Sequence, residues 1–134
     1  MSLVEKYALL PDEIDRESLK RVEACLPGSL DLTPGERYVV CRIVRAEGDP
    51  EIATEIEFSR GAVELGVESL KAGVDVVTYV RMVQVGISKA LLSSHGIQTH
   101  CSIDSPEAAD RARKESTTRS VAAMRELAPY LDGS

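Results

Sequence analysis

The sequence predicts an α/β fold of the Rossmann-like, three-layer kind, a mostly parallel sheet with helices on both faces. Three observations carry this expectation. Helix-start signals recur at Pro11, Thr33-Pro34 and Ser105-Pro106; a continuous apolar run rich in β-branched residues fills 74–80; and segments of strand and helix character alternate from 52 onward. Such alternation implies right-handed crossovers and a sheet covered by helices on each side.

Taken in order, Pro11 with Asp12 and Glu13 suits a first helical turn, because proline gives up no needed donor there and the acids complement the helix dipole. Ile14, Leu19, Val22 and Leu26 then form an apolar stripe, and Pro27-Gly28 ends the helix at Leu26. Thr33, Pro34 and Glu36 make a capping box for a second helix from Pro34 to about Ala46. Its run Tyr38, Val39, Val40, Cys41, Ile43, Val44 is apolar on more than one side, which predicts heavy burial before Gly48, Asp49 and Pro50 stop it. Residues 52–58 alternate apolar and polar like a half-buried edge strand. Ser59 is placed as the cap of a third helix that carries Val63, Val67 and Leu70 and ends at Gly73. The run 74–80 reads as a central parallel strand covered on both faces. No element is assigned to 82–87; a short helix follows near 89–92, and Gly96 opens a third strand over 97–103. Ser105 caps a helix starting at Pro106, the Ser116-Thr117-Thr118 cluster breaks it, and a last helix runs from about Arg119 to Leu131. A three-stranded sheet is small for this class. The expectation is therefore one domain over 1–134, truncated before a last strand and helix or completed by a partner.

Composition narrows the functions. With 134 residues, 43% of them hydrophobic, the chain can build one real core, mainly from aliphatic side chains because aromatics are only 4%. No apolar run is long enough for a membrane span, and the acidic residues of the first thirteen positions do not suit a signal peptide, so a cytoplasmic protein with no membrane partner is expected. A formal net charge of -6 offers no broad attraction to nucleic acid. Cys25, Cys41 and Cys101 are odd in number and widely spaced, which favours reduced thiols over a disulfide or a zinc site. Cys41 and Cys101 lie in apolar runs and are read as inert core thiols. There is no phosphate-binding glycine motif and no nucleophile elbow, so no nucleotide, cofactor or metal is expected. His95, in a polar turn, reads as a loop residue, and His100, in a strand, as a satisfied sheet histidine.

Ligands of open α/β sheets bind beyond the carboxyl ends of the strands. That rule singles out Ser59 and Arg60, Arg81 and Met82, and Asp104 and Ser105. With Arg45 and Arg119, these guanidinium groups would suit a ligand bearing many carboxylates, because each planar fork pairs a carboxylate bidentately.

Specific strings then resemble one family. Pro11–Ser18 (PDEIDRES) is similar to the amino-terminal helix of precorrin-8X methylmutases, with its Arg-x-Ser element at Arg16 and Ser18. Residues 41–48 (CRIVRAEG) resemble a helix end of that family, and 57–62 (EFSRGA) its strand-to-helix turn. Residues 81–87 (RMVQVGI) resemble its Arg-Met-Val string followed by Gly-Ile, and 116–123 (STTRSVAA) its Thr-Arg-Ser helix start. The five matches run in order over nearly the whole chain.

The resemblance implies a homodimeric isomerase of cobalamin biosynthesis. Its substrate would be a tetrapyrrole, precorrin-8X or cobalt-precorrin-8, whose methyl group moves from ring carbon 11 to ring carbon 12. By position, Arg16, Ser18, Ser59, Arg81, Met82, Thr118, Arg119 and Ser120 would bind the macrocycle and its carboxylates. Three departures accompany it. Arg45 stands where the family places its catalytic histidine, and a guanidinium, with a pKa above about 12, is no general acid near neutrality. Glu47 is a substitute acid if burial raises its pKa; its plainer reading is an exposed helix-end carboxylate. Tyr79 replaces an acidic residue two places before the Arg-Met-Val string, and the family's Gly-rich segment does not follow the last helix. The readings rank as a working methylmutase, then a non-catalytic corrinoid-binding or pathway-associated relative, then an unrelated α/β interaction domain.

Overall fold

The computed structural model describes residues 10–131. The fold is mixed and mainly helical, with one small parallel sheet of two strands. The chain divides into two compact units, 1–64 and 65–134.

In the first unit, α1 (Pro11–Cys25) begins as the proline and acids dictate, with the Glu13 carboxylate accepting the Leu10 N–H at 2.9 Å. Helix α2 (Pro34–Glu47) has the expected capping box: Thr33 Oγ1 accepts the Glu36 N–H at 3.3 Å, and the Glu36 carboxylate accepts the Thr33 N–H at 2.9 Å. Gly48 closes it at φ +78°, a left-handed conformation that glycine adopts without steric cost. Val40, Cys41 and Val44 are buried, but Tyr38 is exposed, so α2 covers one face rather than several. Val40, Val44 and Ala53 make the core, packed by Val22, Leu26, Leu30, Leu32, Ile52, Ile56 and Phe58.

The expected edge strand at 52–58 does not form. Pro50–Thr54 is a 3₁₀ turn, entered through Asp49, whose Oδ1 accepts the Glu51 N–H at 3.0 Å. Its apolar residues face the core of α2 without any strand beside them to complete a ladder. Helix α3 (Ala62–Lys71) starts three residues after Ser59, which contributes its backbone carbonyl to the Ala62 N–H rather than a side-chain cap. Gly73 follows at φ +79°, and the Val74 N–H returns to the Ser69 carbonyl at 3.1 Å.

In the second unit, the apolar run yields only a short strand, β1 (Val76–Val77), and the following one only β2 (Thr99–His100), paired in parallel with Val76 opposite Thr99 and Val77 opposite His100. The run is not covered on both faces, since Thr78 is buried but Tyr79 is exposed. Residues 82–86 belong to a helix that the sequence does not announce, α4 (Arg81–Gly86). Helix α5 (Lys89–His95) carries His95 as its last residue, not in a loop. Helix α6 (Pro106–Lys114) is capped by Ser105 Oγ, which accepts the Ala108 N–H at 2.9 Å. Ser116, at φ +50°, ends it, with the Thr117 N–H bonded to the Ala112 carbonyl at 3.0 Å. Thr118 caps α7 (Arg119–Leu127), which ends four residues before Leu131 and gives way to a 3₁₀ turn, Ala128–Tyr130. Helices α6 and α7 pack against each other, and their buried residues are Ala108 of α6 and Ala122, Ala123 and Leu127 of α7.

Candidate functional site

The two parallel strands fix the site of the second unit. Beyond their carboxyl ends lies an open cleft of about 670 Å³, bordered by Arg81 and Gln84 of α4, residues 99–102, the cap residue Ser105, Glu107 and Arg111 of α6, and Glu126, Leu127 and Tyr130. This is where open α/β sheets present ligands.

Each side chain is held by local structure. Arg81, at the start of α4, donates to Asp104 Oδ2 at 3.1 Å and also to Gln84 Oε1. Gln84 turns its amide to the Thr99 carbonyl at 2.9 Å, tying α4 to β2. Glu126 accepts from Ser105 Oγ at 2.9 Å, which joins the start of α6 to α7. His100 Nε2 stands 2.8 Å from Asp75 Oδ2, and its ring stacks on Tyr130 with centroids 4.0 Å apart. The His100 hydrogen bond, then the Gln98 N–H on Oδ1, hold the Asp75 carboxyl below its ordinary range. Cys101 borders the cleft and is only half-buried, so it is not the core thiol expected.

A second pocket of the same unit, about 440 Å³, is apolar and brings Tyr79 together with Ser120, Val121, Met124 and Leu131. Of the remaining predicted positions, Met82 is 79% exposed on α4, Thr118 spends its hydroxyl on the Val121 N–H at 3.3 Å, and Arg119 opens α7 in solvent.

In the first unit, Arg16 borders a groove of about 360 Å³ between α1 and α2, with Arg37, Tyr38 and Cys41. Ser18 is half-buried on α1 and Ser59 is exposed. Arg45 is not free for a ligand: it bonds Asp15 of α1, and Arg42 Nη1 reaches both Asp15 oxygens at 3.2 Å. The Arg45 hydrogen bond leads the effects that hold the Asp15 carboxyl below its usual range. Burial raises the Cys41 thiol instead, consistent with an inert core cysteine. Glu47 is exposed, as its plainer reading requires.

Gln84, His100 and Arg111 are among the cleft residues that the sequence does not mark as site residues. A signal existed for His100: Asp75, the residue just before β1, alternates to the same side as Val77, and with His100 opposite Val77 it becomes a diagonal neighbour. Gln84 and Arg111 carried none, because nothing in their surroundings marks which helix face meets the cleft. Among the described residues, no group of three or more His, Cys, Asp or Glu side chains is arranged to hold a metal ion, and no helix is long and apolar enough to cross a membrane.

Comparison with known proteins agrees with this architecture. Residues 13–134 match the family precorrin-8X methylmutase. A cobalt-precorrin-8 methylmutase of Priestia megaterium is 28% identical over 92% of this chain and 54% of its own length. One of Methanothermobacter thermautotrophicus is 34% identical over 84% of this chain and 51% of its own. The solved precorrin-8X methylmutase of Thermus thermophilus superposes with a TM-score of 0.74 at 31% identity, over 87% of this chain and 55% of that one. The chain spans about half the length of the curated relatives it matches. With a match covering all but its first residues, the chain belongs to the precorrin-8X methylmutase family.

Proposed function

We propose that the chain is a methylmutase-like isomerase of cobalamin biosynthesis, moving a methyl group from ring carbon 11 to ring carbon 12 of precorrin-8X or cobalt-precorrin-8. The observation that carries this reading is the family match over 13–134, with Arg81 at the mouth of a cleft beyond two parallel strands. The residues this reading assigns to the macrocycle and its carboxylates are Arg16, Ser18, Ser59, Arg81, Met82, Thr118, Arg119 and Ser120. The reading takes 1–134 as one cytoplasmic domain on a Rossmann-like, three-layer framework that contains β1 and β2, working without cofactor as a homodimer. The exposed apolar side chain of Val85 on α4 supports self-association.

A 1,5-methyl shift asks little covalent chemistry of the protein. It must hold the macrocycle, favour one tautomer through proton transfer, and bind the product-like state more tightly than the substrate. Arginine forks meet the first requirement.

The alternative, a non-catalytic corrinoid-binding relative, is favoured by one observation: Arg45 stands at the family's histidine position and is engaged by Asp15. An ultraviolet-visible titration with hydrogenobyrinic acid, then incubation with precorrin-8X, separates the two. Binding with turnover establishes the methylmutase, and binding alone the non-catalytic relative. In the second case Arg45→His is expected to restore turnover; no gain with binding intact would remove the lost-acid explanation. Absence of binding would refute both.

A further inference from the structure

Among the cleft's side chains one is built differently from the rest. The parallel register sets His100 opposite Val77, so Asp75, just before the neighbouring strand, reaches it diagonally, with Oδ2 at 2.8 Å from Nε2. Oδ1 accepts the Gln98 N–H at 2.9 Å, which fixes the carboxylate in place. An ionised carboxylate can only accept, so in the neutral ring Nε2 carries the hydrogen and Nδ1 presents a lone pair. Tyr130 stacks on the ring and removes its freedom to turn. His100 borders the cleft while Asp75 stands outside its lining. The charged groups facing the same space are Arg81, Arg111, Glu107 and Glu126, with Glu126 bonded to Ser105 and Arg81 to Asp104. A carboxylate behind an oriented imidazole that faces a cleft is an arrangement for moving protons, and it serves the same purpose on unrelated folds.

We propose that His100 is the proton-exchange group of this cleft and Asp75 its positioning residue. Nδ1 takes a proton from one ring position of the bound tetrapyrrole, the imidazolium is stabilised through Nε2–H on Asp75, and the proton returns to another ring position. The protein ends as it began and no co-reactant is consumed. The substrate in this statement rests on the methylmutase reading.

The test is steady-state conversion of precorrin-8X by the full chain, with hydrogenobyrinic acid titration as the measure of binding. H100Q is expected to lower kcat about 100-fold or more, with KM and product binding within about threefold. D75N keeps the imidazole but loses its orientation, and kcat falls about tenfold; H95Q, outside the cleft, leaves it unchanged. Because a lost ring–ring stack could by itself disturb the fold, H100A is assayed with added imidazole, and partial recovery of kcat is expected. H100Q turning over at the wild-type rate overturns the assignment. So does loss of kcat in H100A that imidazole does not restore, since that outcome makes His100 structural. Wild-type protein that binds hydrogenobyrinic acid without converting precorrin-8X removes the methylmutase reading, and this role with it. Conversion that ignores residue 100 removes this role alone.

Discussion

In the first unit the interior is closed by Val40, Val44 and Ala53, with seven further aliphatic or aromatic side chains around them. In the second the buried hydrophobic positions are Ala108, Ala122, Ala123 and Leu127, and a buried threonine, Thr78, bonds through its N–H and hydroxyl to the His100 carbonyl. Branched side chains fill volume, whereas alanines let two helices approach closely and leave little apolar surface. In the second unit the long polar side chains Arg81, Gln84 and Arg111, with His100, stand at the cleft. One unit spends its sequence on a core, and the other spends much of it on a site.

The sharpest way to break this contrast is through volume. Val40 is 0% exposed, so Val40→Ala removes two methyl groups and leaves a cavity, at a cost of about 2–3 kcal/mol. Ala122, equally buried, is probed by adding volume instead: Ala122→Leu overpacks the α6–α7 contact and costs about 1–3 kcal/mol. Urea denaturation reads both. Ala122→Leu tolerated without loss would show that α6 and α7 are loosely packed and that the contrast between the units is only one of residue size.

Caps come next, and here the two units should agree in stability while differing in function. Thr33→Ala breaks one half of the α2 capping box, and Thr118→Ala removes the α7 cap; each is expected to cost about 1 kcal/mol. Only Thr118→Ala should also weaken hydrogenobyrinic acid binding, because only Thr118 belongs to the proposed substrate-binding set. Equal binding by both variants would leave Thr118 a cap alone.

A smaller effect of opposite sign is expected at the end of α6. Ser116 holds φ +50°, which costs an L-residue about 1–2 kcal/mol that glycine avoids, against glycine's larger entropy in the unfolded chain. Ser116→Gly should stabilise the protein by about 0.5–1 kcal/mol, seen as a higher urea midpoint with unchanged slope.

The same contrast explains what the sequence revealed. Helix starts were legible because caps are local: Thr33-Pro34-Glu36 and Ser105-Pro106 each bring donor and acceptor within four residues. Strands were not, because pairing is decided by partners far along the chain. Residues 52–58 alternate as a strand should, yet the core of α2 takes their apolar side chains as a 3₁₀ turn and coil. The run 74–80 does supply a parallel strand, but only over Val76–Val77 and in a sheet of two, so it is not the central strand expected, and its ladder is only as long as its partner allows. Helix α4 was hidden for a related reason: its start at Val80 has no side-chain cap, so no local residue announces it. At the site, Arg81 was found through its place after a strand and its family string. His100 was set aside as a satisfied histidine; it is satisfied, by Asp75, and that partner is what makes it a candidate for chemistry.

The smallest effect tests whether the units share one weakness despite their different interiors. Asp15 in the first unit is held by Arg45 and Arg42, and Asp75 in the second by His100 and the Gln98 N–H. In both, the folded state lowers the carboxyl below its unfolded value of about 3.9, so the ionised form is favoured on folding. The sign follows: their contribution is present above that value and is lost as the pH falls through the lower, folded one. Melting temperature should therefore drop more steeply below about pH 4 in the wild type than in D15N or D75N, while all three converge in strong acid. Because both carboxylates meet solvent, the differences should be small, and added salt should shrink the Asp15 effect, which depends on two exposed guanidinium groups. An Asp75 effect that resists salt would set the second unit apart, since its carboxylate is bonded to a half-buried imidazole and a backbone amide rather than to mobile surface charge.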